Sequence, residues 1–154
     1  MAGPPTRLRL FVAAYPPAPI AARLLEQVKR LALPPGRPTV PEQVHLTLQF
    51  IGETDVRQVD EVSESVKRSA AGIDPFALTL GPLVALPKPS APRLVAVTTD
   101  APAPLREIVR RLAHRLARKP RKDAADRFTP HLTLLRFTGS PGRMELPPDA
   151  LISE

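Results

Sequence analysis

"VPEQVHLTLQFIG" (40–52) and "TPHLTLLRF" (129–137) contain the same tetrapeptide, His-Leu-Thr-Leu, at 45–48 and at 131–134. The chain has only three histidines, and two of them lie in these repeats. The flanks are apolar and β-branched, with polar residues alternating, which predicts a strand for each. In a strand, residues i and i+2 point the same way. His45 and Thr47 therefore share a face, and Leu46, Leu48 and Phe50 take the opposite, core-facing one. His131 and Thr133 share a face with Leu132 and Leu134 behind them. Each repeat presents an imidazole and a hydroxyl ~7 Å apart on a rigid element. One copy is an ordinary half-buried strand. A second copy arises by chance on the order of one time in a thousand at ordinary residue usage, which favours a joint purpose.

Outward from the repeats, periodicity sets the remaining elements. Residues 7–15 alternate, with Leu8, Leu10, Val12 and Ala14 on one face and Phe11 and Tyr15 on the other. "PPAPIAARLLEQVKRL" follows, with Ile20, Leu24, Val28 and Leu31 on a helical stripe and Pro19 suited to the first turn. "PPGRPTVPEQ" breaks the chain before the first repeat. Val56, Val59, Val62 and Val66 mark a second helix ending near Gly72. "FALTLGPLVAL" and "RLVAVTTD" read as strands joined by a Pro-rich loop. Leu105, Ile108, Val109, Leu112 and Leu116 mark a third helix, and the second repeat is the closing strand. The order β-α-β-α-β-β-α-β with a hairpin-like pair predicts an α+β fold rather than a purely parallel sheet. At 154 residues the chain reads as one domain with loose tails at 1–6 and about 140–154.

Paired histidines move protons near neutral pH, because imidazole titrates near ~6.5. One can take a proton from an attacking water while the other gives one to a leaving alkoxide, each role contributing roughly 10²–10⁴-fold. Threonine hydroxyls can hold the non-bridging oxygens of an anion between them. A phosphate diester fits: it needs in-line attack, oxygen donors, one acid and one base. Two histidines without a nearby carboxylate make a poor metal site. Residue identity alone leaves open which histidine is the acid.

Two His-x-Thr-x motifs, each on a strand, resemble the two-histidine (2H) phosphoesterases, and most nearly the LigT-like RNA 2′,3′-cyclic phosphodiesterases, historically called 2′-5′ RNA ligases. The likeness runs from "RLFVAAYPP" through "VPEQVHLTLQFIGE" and "PFALTLGPL" to "RFTPHLTLLRF". "RPTVPEQ", before the first motif, lacks the Trp often seen there in that family. The resemblance implies a bilobal fold, with two antiparallel-type sheets flanked by helices around a central cleft and one motif per lobe. It implies no metal and no cofactor. It also implies His45 as proton donor to the leaving ribose oxygen, His131 as proton acceptor from water, and a 2′-phosphomonoester product. Thr47 and Thr133 would bind phosphate. Arg136, which follows the second motif as in the family, would clamp it too, although strict alternation puts Arg136 on the face opposite His131 unless the strand bulges. Phe11 sits where family members carry an aromatic that lines the nucleotide site.

Composition narrows the partners. The chain has no cysteine, which excludes disulfides, zinc–thiolate sites and thiol nucleophiles and points to the cytoplasm. No apolar run approaches the ~20 residues of a membrane span. The net charge is +7 and the isoelectric point near 10.8. Residues 105–127 hold nine basic and three acidic side chains, which points to a polyanion. Arg110, Arg111, Arg115 and Arg118 are candidates to guide RNA, set against an ordinary solvated helix face. His114 and Tyr15 read as surface and loop-edge residues. The expected partners are RNA ends carrying a 2′,3′-cyclic phosphate, or cyclic nucleotides, acted on by a monomer. The alternatives are the reverse reaction, 2′-5′ ligation, and a non-catalytic nucleotide- or RNA-binding module.

Overall fold

The computed structural model describes residues 6–118 and 128–146. The basic residues 119–127 and most of both expected tails lie outside the described residues. The elements are β1 (Arg7–Ala14), α1 (Ala18–Lys29), β2 (Gly36–Pro38), β3 (Leu46–Asp55), α2 (Val59–Ala70), β4 (Leu80–Leu86), β5 (Leu94–Thr99), α3 (Ala103–Leu116) and β6 (His131–Phe137), with single 3-10 turns at Pro41–Gln43 and Val56–Gln58. The expected α+β order holds. The three-residue β2 is an addition that periodicity could not reveal.

The chain divides into two compact units. The first contains residues 1–13, 47–78 and 101–129. Here β1 lies hydrogen-bonded beside β3. Val12, Ile51 and Leu112 form the buried centre, with Leu10, Leu48, Val62, Val66, Ile108 and Leu116 packed around it. The amphipathic stripes of α2 and α3 thus meet one sheet face, as their spacing requires. Ser69 is fully buried and returns its hydroxyl proton to the Ser65 carbonyl at 2.8 Å, so a small polar residue fits at this helix contact without an orphaned donor.

The second unit contains residues 14–46, 79–100 and 130–154. β6 is its middle strand, antiparallel to β2 on one side and β5 on the other, and β5 is antiparallel to β4. Leu46, the first residue of β3, pairs antiparallel with Leu132. Val95, Ala96, Val97 and Leu134 have no exposed surface. Helix α1 packs on β6. In the expected tail, the Met144 backbone N–H donates to the Pro89 carbonyl at 2.9 Å, which ties that part down.

Three expected core positions move. The buried face of α1 is Ala21, Leu24 and Val28, while Ile20 is exposed. Val56 lies exposed in a 3-10 turn ahead of α2. Phe50 is 70% exposed, although alternation assigned it to the core. The reason is local. Leu48 and Ile51 both face the core of the first unit, so the period of two breaks between them and Phe50 turns outward with Thr47.

Candidate active site

The 3-10 turn Pro41–Gln43 aims the chain into the first motif. Val44 and Leu46, at 1% and 2% exposure, pin the backbone on either side of His45. The Gln43 carbonyl then lies 2.6 Å from His45 Nδ1. A carbonyl can only accept, so Nδ1 carries the proton of this bond. The Tyr15 ring stands over this imidazole, centroids 5.7 Å apart and tilted by 45°. Tyr15, expected at a loop edge, is thus a neighbour of the first histidine.

The Leu46–Leu132 pairing sets how the motifs meet. Directly opposite residues in an antiparallel pair share a face. His45 immediately precedes Leu46 and Thr133 immediately follows Leu132, so both residues adjoin this paired position. His131 and Thr133 are both half-buried on β6, flanked by Leu132 and Leu134, which are buried on the other face. Thr39 braces this segment. Its hydroxyl donates to the Thr133 carbonyl at 2.9 Å and its N–H donates to the Leu134 carbonyl at 2.9 Å. On the far side of β6, Thr98 pairs with His131.

Arg136 comes to the face of His131, because β6 bulges. His131, Leu132 and Thr133 pair in step with Thr98, Val97 and Ala96, but Leu135 pairs with Val95 and Arg136 with Leu94, a shift of one residue. Leu134 and Leu135 are consequently both buried, and Arg136 returns to the face of His131 and Thr133. Strict alternation alone would have put it behind the sheet.

Thr47 follows His45 by one pleat on β3 and is half-buried. In the first unit Phe11 and Phe50 pair with centroids 6.2 Å apart and planes at 46°. Both lie on the outer side of their strands and both are exposed, at 41% and 70%. Phe50 is the aromatic that sequence alternation missed. Only the break in period between Leu48 and Ile51 could have signalled it. Among the described residues no three His, Asp or Glu side chains converge as a metal site would need.

Two of the four candidate arginines, Arg111 and Arg118, make contacts that brace the fold. Arg111 donates to Glu107 at 2.9 Å and to the Ala71 carbonyl at 2.9 Å, which ties α3 to the end of α2. Arg118 donates to the Glu53 carbonyl and to Thr54 Oγ1. Arg110 also pairs with Glu107, and hydrogen bonds from these two guanidinium groups, Arg110 first, hold the Glu107 carboxyl at about 2, well below its ordinary 4.5. Of the four candidates, Arg115 alone has no such bond among the described residues. His114 is exposed, as expected.

The model of the 2′-5′ RNA ligase superfamily matches residues 16–150. The chain belongs to that family. Curated relatives include the RNA 2′,3′-cyclic phosphodiesterase of Aeropyrum pernix, 30% identical over 123 residues, which are 77% of this chain and 66% of the relative. That of Methanothermobacter thermautotrophicus is 26% identical over 69% of this chain and 57% of its own length. The chain thus spans between about half and two thirds of these relatives. Among solved structures, a Thermus thermophilus protein superposes with a TM-score of 0.72 at 29% identity, covering 90% of this chain and 79% of that one. E. coli LigT complexed with 3′-AMP gives a TM-score of 0.71 at 25% identity, covering 93% and 79%. The LigT-like α+β fold of 2H phosphoesterases follows. No helix among the described residues is long and apolar enough to cross a membrane.

Proposed function

We propose that the chain hydrolyses RNA 2′,3′-cyclic phosphate ends to 2′-phosphomonoesters through His45 and His131. The observation that supports this reading is the Leu46–Leu132 pair, which joins the two motifs at the residues next to His45 and Thr133. Family membership and relatives named RNA 2′,3′-cyclic phosphodiesterase support the substrate class. In the proposed reaction His131 takes a proton from water as the water oxygen attacks phosphorus. The bond from phosphorus to the ribose 3′ oxygen breaks. His45 gives its Nε2 proton to that oxygen, leaving a 3′-hydroxyl and a 2′-phosphomonoester. Proton exchange with solvent then resets both imidazoles.

The Gln43 carbonyl suits His45 to the acid role, because it holds the ring through Nδ1 in both protonation states. Thr133 and Thr47 donate hydroxyl hydrogen bonds to the non-bridging oxygens, and Arg136 supplies positive charge on the same face of β6 as His131. Phe11, which pairs with Phe50 in the first unit, keeps its nucleotide-lining role in this proposal on the family resemblance alone. The test is incubation with nucleoside 2′,3′-cyclic phosphates in EDTA, followed by chromatography. A 2′-phosphomonoester is expected. Unchanged substrate, or turnover that EDTA abolishes, refutes the proposal.

A further inference from the structure

Strand β2 sets Arg37 directly opposite Arg136, with Gly36 opposite Phe137 and Pro38 opposite Leu135. Opposite residues in an antiparallel pair project to one face, so Arg37 joins Arg136 on the face of His131 and Thr133. Both arginines are exposed. Among the described residues, five ion pairs engage other arginines, and none engages Arg37 or Arg136. Like charges directly opposite one another destabilise a ladder. The register that imposes this is nevertheless held at both ends. A side chain at Gly36 would sit 2.6 Å from Leu135 Cδ2 and 2.7 Å from the Arg136 carbonyl oxygen, so only glycine lets the strands close there. At the other end Thr39 bonds the Thr133 and Leu134 carbonyls.

A single anion between the two guanidinium groups converts this repulsion into charge-assisted hydrogen bonds from two planar forks. The place of the pair along β6 says which anion. Across the bulge, Arg136 lies one pleat beyond Thr133, roughly 7 Å, and about two pleats beyond His131. A phosphate held at His131 and Thr133 leaves the pair available to the next negative charge on the substrate. We propose that Arg37 and Arg136 form a second anion seat, which takes the phosphodiester joining the terminal nucleotide to its 5′ neighbour. This deepens the proposed function and rests on it. The seat gives the enzyme a preference for chain ends over free cyclic nucleotides. A 5′-phosphomonoester on a single nucleotide presents the same chemistry, so it belongs in the test.

The test compares three substrates: a nucleoside 2′,3′-cyclic phosphate, the same nucleotide with a 5′-phosphate, and a dinucleotide ending in a 2′,3′-cyclic phosphate. For Arg37→Gln, the kcat/KM ratio of dinucleotide to mononucleotide should fall about tenfold through KM, the effect of one charge-assisted hydrogen bond. The salt slope for the dinucleotide should flatten by about 0.7. Arg37→Lys should restore most of the ratio, which a purely structural role for Arg37 would not predict. If the 5′-phosphorylated mononucleotide alone loses affinity, the seat is for a terminal phosphate and the diester assignment is wrong. Equal losses on all three substrates, or no loss on any, overturns the second seat. If the parent protein turns over none of them, the hydrolase reading fails. The seat is then judged by equilibrium titration of a dinucleotide 2′-phosphate, where equal affinity for parent and Arg37→Gln overturns it.

Discussion

Replacing His45 with alanine separates a catalytic role from a structural one, because the structure assigns the two effects different sizes. The ring's bond to the Gln43 carbonyl, at 2.6 Å, is half-exposed and is worth about 1 kcal/mol of stability. The Tyr15 contact adds little, since Tyr15 is 61% exposed. Val44 and Leu46 stay buried without the ring and hold the backbone in place. Loss of a general acid, by contrast, costs roughly 10²–10⁴ in rate, which is about 3–5 kcal/mol on the barrier. His45→Ala should therefore melt within a few degrees of the parent while its turnover of a 2′,3′-cyclic nucleotide falls at least ~10²-fold. His131→Ala should behave alike. The double variant should fall little further, because acid and base act in one step. The assay is initial rate in EDTA by product chromatography, with a thermal melt of each variant. A His45→Ala protein that keeps its fold and most of its turnover refutes the acid assignment.

Thr133→Val and Thr47→Val keep the shape of the strand but remove a hydroxyl donor to phosphate. Each should lower kcat/KM by a factor corresponding to roughly 1–3 kcal/mol, less than either histidine change. Gly36→Ala forces its new carbon against the Arg136 backbone oxygen, which cannot rotate away. A loss of about 1–3 kcal/mol in chemical denaturation is expected, and an unchanged midpoint would show that β2 moves freely. Glu107 is held at about 2 by Arg110 and Arg111, against an ordinary 4.5. Its depressed value means that its contribution to stability is present above about 4.5 and is lost as pH falls toward 2. Glu107→Gln should flatten that part of the pH–stability curve, and an unaltered curve would remove Glu107 from the account.

Periodicity was enough where a helix's own spacing builds the core, as in α3. The stripe Leu105, Val109 and Leu112 of α3 is buried as the sequence dictates. It fails where an extra residue enters a strand. Arg136 lies just past such a point in β6, and Phe50 lies where the burial period of β3 breaks; both come out on the face that alternation denied them. Nothing in "LTLLRF" marks the irregularity of β6, because it is set by which residues of the neighbouring strand are available to pair. The contacts of Arg111 and Arg118 were hidden for a related reason. Their spacing gives a charged face, but their destinations are carbonyls at the end of α2 and in β3, contacts that sequence distance hides.

β2 combines both difficulties. Three residues, the last of them a proline, carry no period at all, and "GRP" reads as a breaker. What makes it a strand is the open edge of β6, which needs partners for its backbone groups. Gly36 and Thr39 supply the fit, and Arg37 is carried into place by them. The repeated HLTL stands out in the sequence because the chemistry proposed for it depends on residues two apart along the chain. Arg37 does not stand out in this way, because its place depends on which strands meet. A basic side chain two pleats from a histidine, on the far side of a bulge, is invisible to any window along the chain. It becomes evident only when β2, β6 and β5 are read as one ladder.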